Sequence, residues 1–382
     1  MKVLIVGCGN MGAVAAEDLA KSMPSAKIVL ADKDEERAKE VARKIRGENV
    51  SYLQLDVSNK SKLVHSLEGF DLALGFLPGN LGYSLVEACI KAGKNLVDVS
   101  YMPQNPLMLN DTAVKANVTI VPECGLAPGI SNVLVGHAAK SLDKVEKIHI
   151  LVGGIPEKPV PPLDYVVTWS PENLIDEYTR KARIIANGKI VDVEALSGIE
   201  NVDFPGLGKL EAFYTDGLRT LLSTFSDVGE MWEKTLRYKG HAEKARLLRA
   251  LGFFEDEALD VDGVKVSPKR FTAKLLQKKL YMPEVKDVVA LKVEVLGLSA
   301  GREVGYAYRL LDVYDAKSGK TAMARTTAYP ASIVAQMLLK GVIKAKGVAP
   351  PEKLGMDGEF FRNFLDELER RGVKIVEEEV TV

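Results

Sequence analysis

Met1-Lys2-Val3-Leu4-Ile5-Val6-Gly7-Cys8-Gly9-Asn10-Met11-Gly12 runs straight into Ala13-Val14-Ala15-Ala16-Glu17-Asp18-Leu19. The opening run of apolar, partly β-branched residues reads as a strand buried on both faces, as in a parallel sheet. It breaks at Gly7, and an Ala-rich segment of helical periodicity begins near Asn10. Gly7, Gly9 and Gly12 match G-x-G-x-x-G, in which each glycine has a physical task. The first allows the tight turn, the second lets a pyrophosphate approach the backbone, and the third lets helix and strand pack closely. Phosphates would lie at the helix N-terminus, against the loop and the first helical residues Asn10 and Met11, where unpaired N–H groups and the helix dipole favour an anion.

The context strengthens the motif. A second strand, Lys27-Ile28-Val29-Leu30-Ala31, ends in Asp32, about twenty residues past the last glycine, where a ribose 2′-hydroxyl needs its acceptor. A carboxylate there opposes a 2′-phosphate, so NAD is the expected cofactor, with Lys33 next door as the one feature that would tolerate NADP.

Working outward, strand and helix alternate through the first third. Val50 to Leu55 reads as a strand closing on Asp56-Val57, Phe70 to Phe76 as one closing on Leu77-Pro78, and Asn95 to Val99 as one leading to Ser100-Tyr101. Val118 to Pro122 leads to Glu123. Six strands with intervening helices give a doubly wound, Rossmann-type α/β domain, whose ligands lie outside the carboxyl ends of the strands. The residues at those ends are the glycine loop, Asp32, Asp56-Val57 (beside the adenine), Leu77-Pro78 (beside the ribose and nicotinamide), Asp98, Ser100 and Glu123.

Beyond Gly129 the pattern changes. Lys147 to Gly154, Val288 to Val295, Tyr306 to Tyr314 and Thr321 to Ala328 read as strands, and Asn187-Gly188 is a hairpin signal. The result is an α+β substrate domain with a mainly antiparallel sheet. Residues 1–129 are expected to form the dinucleotide-binding domain and 130–328 the substrate domain. Residues 329–382, with a helix from Ala331 and a helix–strand pair after Gly358, are expected to return to the first.

Composition narrows the function. A length of 382 residues suits two domains, and a net charge of −1 gives no basic footprint for nucleic acid. No apolar run reaches the length of a membrane span, and the chain starts with a strand rather than a signal peptide. Cys8, Cys89 and Cys124 form an odd set without metal-ligand spacing, which suits a reducing cytoplasm; no metal is expected. A homo-oligomer is expected for an enzyme of this size.

Chemistry is expected from a second stretch, Glu233-Lys234-Thr235-Leu236-Arg237-Tyr238-Lys239-Gly240-His241-Ala242-Glu243-Lys244, where a strand ends and a helix begins. Arg237 offers a planar fork for a substrate carboxylate, or forms an ordinary ion pair. His241 exchanges protons near neutral pH, or is a locally bonded helix-start residue. Glu123 is a second acid–base residue or a loop acid. Tyr101, Tyr214, Tyr238, Arg325 and Thr326 are further substrate contacts, with packing as the alternative for each.

The chain resembles the saccharopine dehydrogenase family along essentially its whole length, and within it the L-lysine 6-dehydrogenase branch. The resemblance rests on Gly125-Leu126-Ala127-Pro128-Gly129, Val152-Gly153-Gly154-Ile155-Pro156 with Pro161-Pro162-Leu163, Leu210-Glu211-Ala212-Phe213, the Arg237 to Lys244 stretch, and Ala322-Met323-Ala324-Arg325-Thr326-Thr327-Ala328-Tyr329. It implies NAD-dependent oxidation of L-lysine at its ε-amino carbon, releasing ammonia and an aldehyde that cyclises. His241, Glu123 or water would take the amine proton. Asp98-Val99-Ser100-Tyr101-Met102-Pro103 is more similar to the saccharopine-forming branch, so a reductase or dehydrogenase joining an amino acid and an aldehyde is the alternative. A dinucleotide-sensing module without turnover is a third reading.

Overall fold

In the computed structural model, which describes residues 1–380, the opening stretch forms β1 (Lys2–Val6) and α1 (Asn10–Ser22). Then follow β2 (Lys27–Asp32), α2 (Glu35–Ile45), β3 (Val50–Gln54), α3 (Lys60–Leu67), β4 (Leu72–Gly75), α4 (Gly79–Lys91), β5 (Asn95–Asp98), α5 (Asn110–Lys115), β6 (Thr119–Val121) and α6 (Ile130–Lys140). After these come β7 (Lys144–Pro156), α7 (Pro171–Thr179), β8 (Ala182–Ala186), β9 (Lys189–Val193), β10 (Glu200–Phe204), β11 (Gly208–Tyr214), α8 (Leu221–Thr224), β12 (Glu230–Arg237) and α9 (His241–Ala250). The remainder is β13 (Leu259–Val261), β14 (Val264–Val266), α10 (Pro268–Leu280), β15 (Asp287–Ser299), β16 (Arg302–Val313), α11 (Ala322–Leu339), β17 (Gly347–Val348), α12 (Pro351–Gly355), α13 (Gly358–Arg370) and β18 (Ile375–Val380).

The chain divides into two units. The first joins Met1–Lys140 to Ala324–Val373, and the second joins Ser141–Met323 to the C-terminal residues from Lys374 on. The first boundary therefore falls after α6 rather than at residue 129, and the second before residue 328. The segment expected to return whole to the first domain splits. Strand β18 pairs antiparallel with β16 of the second unit, from Leu310↔Ile375 onward. Positions 381 and 382 of that segment lie outside the described residues.

The first unit carries a seven-stranded parallel sheet in the order β17-β6-β5-β4-β1-β2-β3. The order reverses between β1 and β4, and at such a switch point the strand ends open a crevice for a ligand. Val3, Leu4 and Ile5 are wholly buried, as a strand covered by helices on both faces requires. Strand β17 was not legible in the sequence, because two residues carry no period.

The second unit is a nine-stranded sheet, order β10-β11-β12-β7-β15-β16-β18, with β8 and β9 running off β12. Only β12 and β7 pair in parallel; the other strand pairs are antiparallel. The Asn187-Gly188 signal marks the β8–β9 hairpin. Among the described residues no helix is long and apolar enough to cross a membrane.

Thr321 to Ala328 corrects the sequence reading: it is the start of helix α11, not a strand. The Asp287 carboxylate accepts from the backbone N–H groups of Ala322 (2.7 Å) and Met323 (2.9 Å), so a distant residue caps the helix. Within the first unit, Ala324 and Ala328 pack on Val14 and Ala15 of α1. The helix runs through Pro330, although an interior proline removes one hydrogen bond.

Candidate functional site

In the first unit the three glycines of the loop have different surroundings. Gly7 has φ +101°, and a Cβ there would lie 2.4 Å from the Phe76 carbonyl oxygen. A Cβ on Gly12 would lie 2.0 Å from the Gly7 carbonyl oxygen. A Cβ on Gly9 would meet nothing within 4 Å. The space in front of Gly9 opens at the N-terminus of α1, where no side chain caps the first N–H groups. Asn10 is exposed there and Met11 half-buried. Asp32 closes the other side: its Oδ2 accepts from Cys8 N at 2.8 Å and its Oδ1 from Asp34 N at 3.0 Å. The carboxylate thus braces the glycine loop while standing at the end of β2. Uncapped helix donors, a Gly position open to an approaching group and an acid at the second strand suit the pyrophosphate and ribose of a dinucleotide.

The other strand-end residues divide. Asp56 is exposed, and the Ser58 hydroxyl and then its N–H hold its carboxyl below the usual range. Val57 instead joins the apolar core of the unit. Leu77 is half-buried and Pro78 exposed, just before α4. Asp98 and Ser100, expected at the cofactor, are buried and lock the end of β5: Asp98 accepts from Ser100 N (2.8 Å) and Ser100 Oγ (3.1 Å). Gly75 makes room for that carboxylate, since a Cβ there would sit 1.9 Å from Asp98 Oδ2. Burial pushes the Asp98 carboxyl up to about 7, and nearby Glu123 adds to the rise. Glu123 is buried at the end of β6 with φ +55°, a left-handed conformation unusual for this residue. Tyr101 is half-buried, its carbonyl against Gly79.

Arg325 and Thr326, expected on a strand, lie in α11. Arg325 donates from Nη2 to the Arg371 carbonyl at 3.3 Å, and Thr326 is wholly buried. Neither is an open substrate contact within its own unit.

The second unit gathers the Arg237 stretch. His241 is wholly buried, with Nδ1 2.7 Å from the Leu163 carbonyl and Nε2 2.7 Å from Tyr178 Oη. Since only an N–H can face a carbonyl, Nδ1 carries a proton, and in the neutral ring Nε2 accepts from the phenol. Burial, then the neighbouring Arg237 charge, push its pKa down to about 3. His241 therefore does not exchange protons near neutral pH; it braces α9 against Tyr178. Its depressed pKa makes stability pH-dependent: the contribution is intact above about 6.5, the ordinary value, and is lost as pH falls toward 3. His241→Asn should flatten this acid limb, which loses up to about 1.4 kcal/mol per pH unit; acid unfolding curves of parent and variant that keep the same slope would contradict the assignment.

Arg237 already has a partner. Its Nη2 donates to Glu177 Oε1 at 2.8 Å, Nη1 donates to the Leu236 carbonyl at 2.9 Å, and the guanidinium lies 4.7 Å from the Tyr165 ring centre. Its Nε has no hydrogen-bond partner among the described residues. Tyr238 points its hydroxyl at the carbonyls of Pro156 (2.9 Å) and Glu157 (3.1 Å), a brace rather than an open contact. Tyr214 is half-buried with the Lys234 ammonium 4.6 Å above its ring.

Residues to which sequence reasoning gave no role complete this cluster, Glu233 and Thr235 among them although they lie in the stretch it singled out. Glu233 is buried, and a Cβ on Gly217 would fall 1.4 Å from its Oε2. Thr215 Oγ1 donates to Glu233 Oε1 at 2.9 Å and lies 2.9 Å from Thr235 Oγ1. The available signal was Glu233, Thr235 and Arg237 alternating along β12, three polar residues on one face of a strand. Glu177 carried none, sitting in an ordinary amphipathic helix. Among the described residues no group of three or more His, Cys, Asp or Glu side chains could hold a metal ion.

A family model described as the saccharopine dehydrogenase NADP binding domain matches residues 3–121, and one described as the saccharopine dehydrogenase C-terminal domain matches 125–373. The chain is 26% identical to alpha-aminoadipic semialdehyde synthase of Arabidopsis thaliana, over 86% of its own length and 38% of that protein's. It thus spans less than half the length of the first such relatives. It is 24% identical to carboxyaminopropylagmatine dehydrogenase of a Synechocystis species, over 93% of each chain. Apo saccharopine dehydrogenase (L-Glu forming) from Saccharomyces cerevisiae has the same fold, with a TM-score of 0.80 at 20% identity over 100% of both chains.

Proposed function

We propose that this chain, which belongs to the saccharopine dehydrogenase family, oxidises L-lysine at its ε-amino carbon with NAD as hydride acceptor. The observation that carries the reading is the open Gly9 position between the uncapped start of α1 and Asp32, a fit for a dinucleotide. The substrate half rests on the motifs shared with the lysine 6-dehydrogenase branch, above all the Arg237 to Lys244 stretch.

Bound NAD supplies the ring that accepts the hydride. Hydride leaves only from a neutral amine, whereas a lysine ammonium has a pKa of about 10.4, so the amine must lose a proton first. With His241 neutral and engaged at both nitrogens, Glu123 or water takes that proton. Water then adds to the resulting imine, ammonia leaves, and the aldehyde cyclises. Activity should rise toward alkaline pH as free amine becomes available; a rate profile peaking below neutrality would count against lysine.

The test incubates the purified protein with NAD and L-lysine and follows reduced-nicotinamide absorbance together with ammonia. A parallel arm supplies saccharopine, because Ser100-Tyr101 and the names of the relatives favour that chemistry as the second reading. Reduction with saccharopine, and none with lysine, would replace the lysine assignment.

Asp32 sets the cofactor preference in this reading, against a matching family model whose description names NADP. A carboxylate beside a 2′-phosphate meets like-charge repulsion, so NAD should be the better cofactor, and Asp32→Asn should narrow the gap while keeping an acceptor for Cys8 N. Parent protein with a kcat/KM about tenfold in favour of NADP, a difference of about 1.4 kcal/mol, would reverse this reading.

A further inference from the structure

We propose that the hairpin β13–β14 is an arm that docks on helix α10 of a second copy of this chain and closes a two-fold symmetric dimer. The proposal goes beyond the reading of the reaction and is independent of cofactor and substrate.

Within the second unit the hairpin is a sheet by itself. Among the described residues its strands pair with each other alone, Leu259↔Val266, Asp260↔Lys265 and Val261↔Val264. The turn between them is Asp262-Gly263, with φ +52° and +83°, the conformation that a tight two-residue hairpin demands. Cross-strand pairing sorts the side chains by face. Leu259, Val261, Val264 and Val266 share one side of the ribbon, and Asp260 and Lys265 share the other.

The apolar side is open to solvent. Leu259 is 57% exposed, Val261 52% and Val264 62%. Single exposed apolar residues are ordinary, but a contiguous apolar face marks a surface that another surface covers. An isolated two-stranded hairpin is also marginal in water, and packing its apolar face is what stabilises it.

Helix α10 carries a surface of matching length. Its residues Ala273, Leu276 and Leu280 join the core of the second unit. On a different side, Phe271 and Leu275 are 49% and 38% exposed, with exposed Lys274 and Lys278 beside them. These four stand at i, i+4, i+3 and i+7, which places them along one side of the helix. From Phe271 to Lys278 the helix rises about 10 Å. A strand of three residues extends over about the same distance.

Charge selects the occupant. Residues 255–262 hold five carboxylates and no cation, whereas α10 holds five cations and no carboxylate. Lys269 uses its charge inside the chain, on Asp176 at 2.9 Å and Asp256 at 3.3 Å. Arg270, Lys274, Lys278 and Lys279 are exposed. Laying the hairpin on the same hairpin of a second copy would set acid against acid, and such like-charge contact opposes association. Laying it on α10 sets acid against base and apolar side chains against Phe271 and Leu275. Two copies make this contact twice, hairpin to helix and helix to hairpin, so the interface is isologous and closes at two.

Sedimentation equilibrium of the full-length protein tests the arm, and the parent should be a dimer. Val261→Asp with Val264→Asp puts charge on the apolar face; Lys274→Glu with Lys278→Glu reverses the helix. Each pair should weaken association about thirtyfold or more, the worth of an interface hot spot. All four side chains are exposed, so the separated chains should keep their fold; the helix pair serves if the hairpin pair does not fold. Adding Glu257→Lys and Asp260→Lys to the helix pair should restore the dimer, because acid and base have then exchanged places. A cross-link identifies the contact. Val261→Cys protein mixed with Leu275→Cys protein should form, on mild oxidation, a disulfide between two chains, and neither protein should do so alone. The native Cys8, Cys89 and Cys124 are buried and do not compete. A monomeric parent, an association that neither pair weakens, or a mixture that gives no cross-link overturns the proposal. Val261→Cys protein that cross-links to itself overturns α10 as the docking site.

Discussion

Gly9→Val is expected to abolish dinucleotide binding and leave the protein folded. The backbone at Gly9 is extended, with φ −71° and ψ −174°, so a β-branched residue is sterically allowed there. A Cβ would meet no protein atom within 4 Å, so the folded chain loses nothing. The same atoms would fill the space through which a pyrophosphate approaches the N–H groups of α1. Titration calorimetry with NAD should show no binding, while thermal unfolding stays close to that of the parent. Gly12→Val is the contrast: its Cβ would sit 2.0 Å from the Gly7 carbonyl oxygen, so helix and strand must separate and stability should fall. Undiminished NAD affinity in Gly9→Val would move the cofactor off this loop.

Arg237→Ala should be the most damaging single change in the second unit. It removes the cation paired with Glu177 and strands a buried carboxylate, a loss of about 3–5 kcal/mol. Glu177 then takes up a proton, so the loss should be smaller at acidic pH than at pH 8. Replacing both partners by apolar residues, Arg237→Met with Glu177→Leu, should be far less destabilising than Arg237→Ala alone. Arg237→Lys keeps a charge for Glu177 but cannot form the fork. It should stay folded while kcat/KM for lysine drops about ten- to a hundredfold, the worth of a charged hydrogen bond of about 1.5–3 kcal/mol. Denaturant unfolding at two pH values and steady-state kinetics separate the two effects. Arg237→Ala as stable as the parent at pH 8 would contradict the buried ion pair.

The parallel sheet and its ligand-facing edge were legible because their causes are local in sequence. Val3 to Val6 reads as a buried strand, the three glycines fall at the turn that follows, and Asp32 ends the next strand. Each of these signals is set by neighbours a few residues away. The Asn187-Gly188 hairpin and the strand-to-helix junction before His241 belong with them.

What the sequence could not determine was the state of the side chains and the destination of distant segments. His241 and Arg237 have the same identities whether they face a substrate or a partner. Only the arrival of Tyr178 and Glu177 from α7, some sixty positions away, turned a proton exchanger into a neutral brace and an open anchor into an ion pair. Asp287 decided the conformation of Thr321 to Ala328 from outside the segment, by capping it as a helix against its β-branched threonines. Strand β18 went to the second sheet because the edge of β16 offered it hydrogen bonds, and no local pattern encodes which edge is free. Local periodicity dictates which elements form; burial and long-range pairing decide what their polar groups can still do.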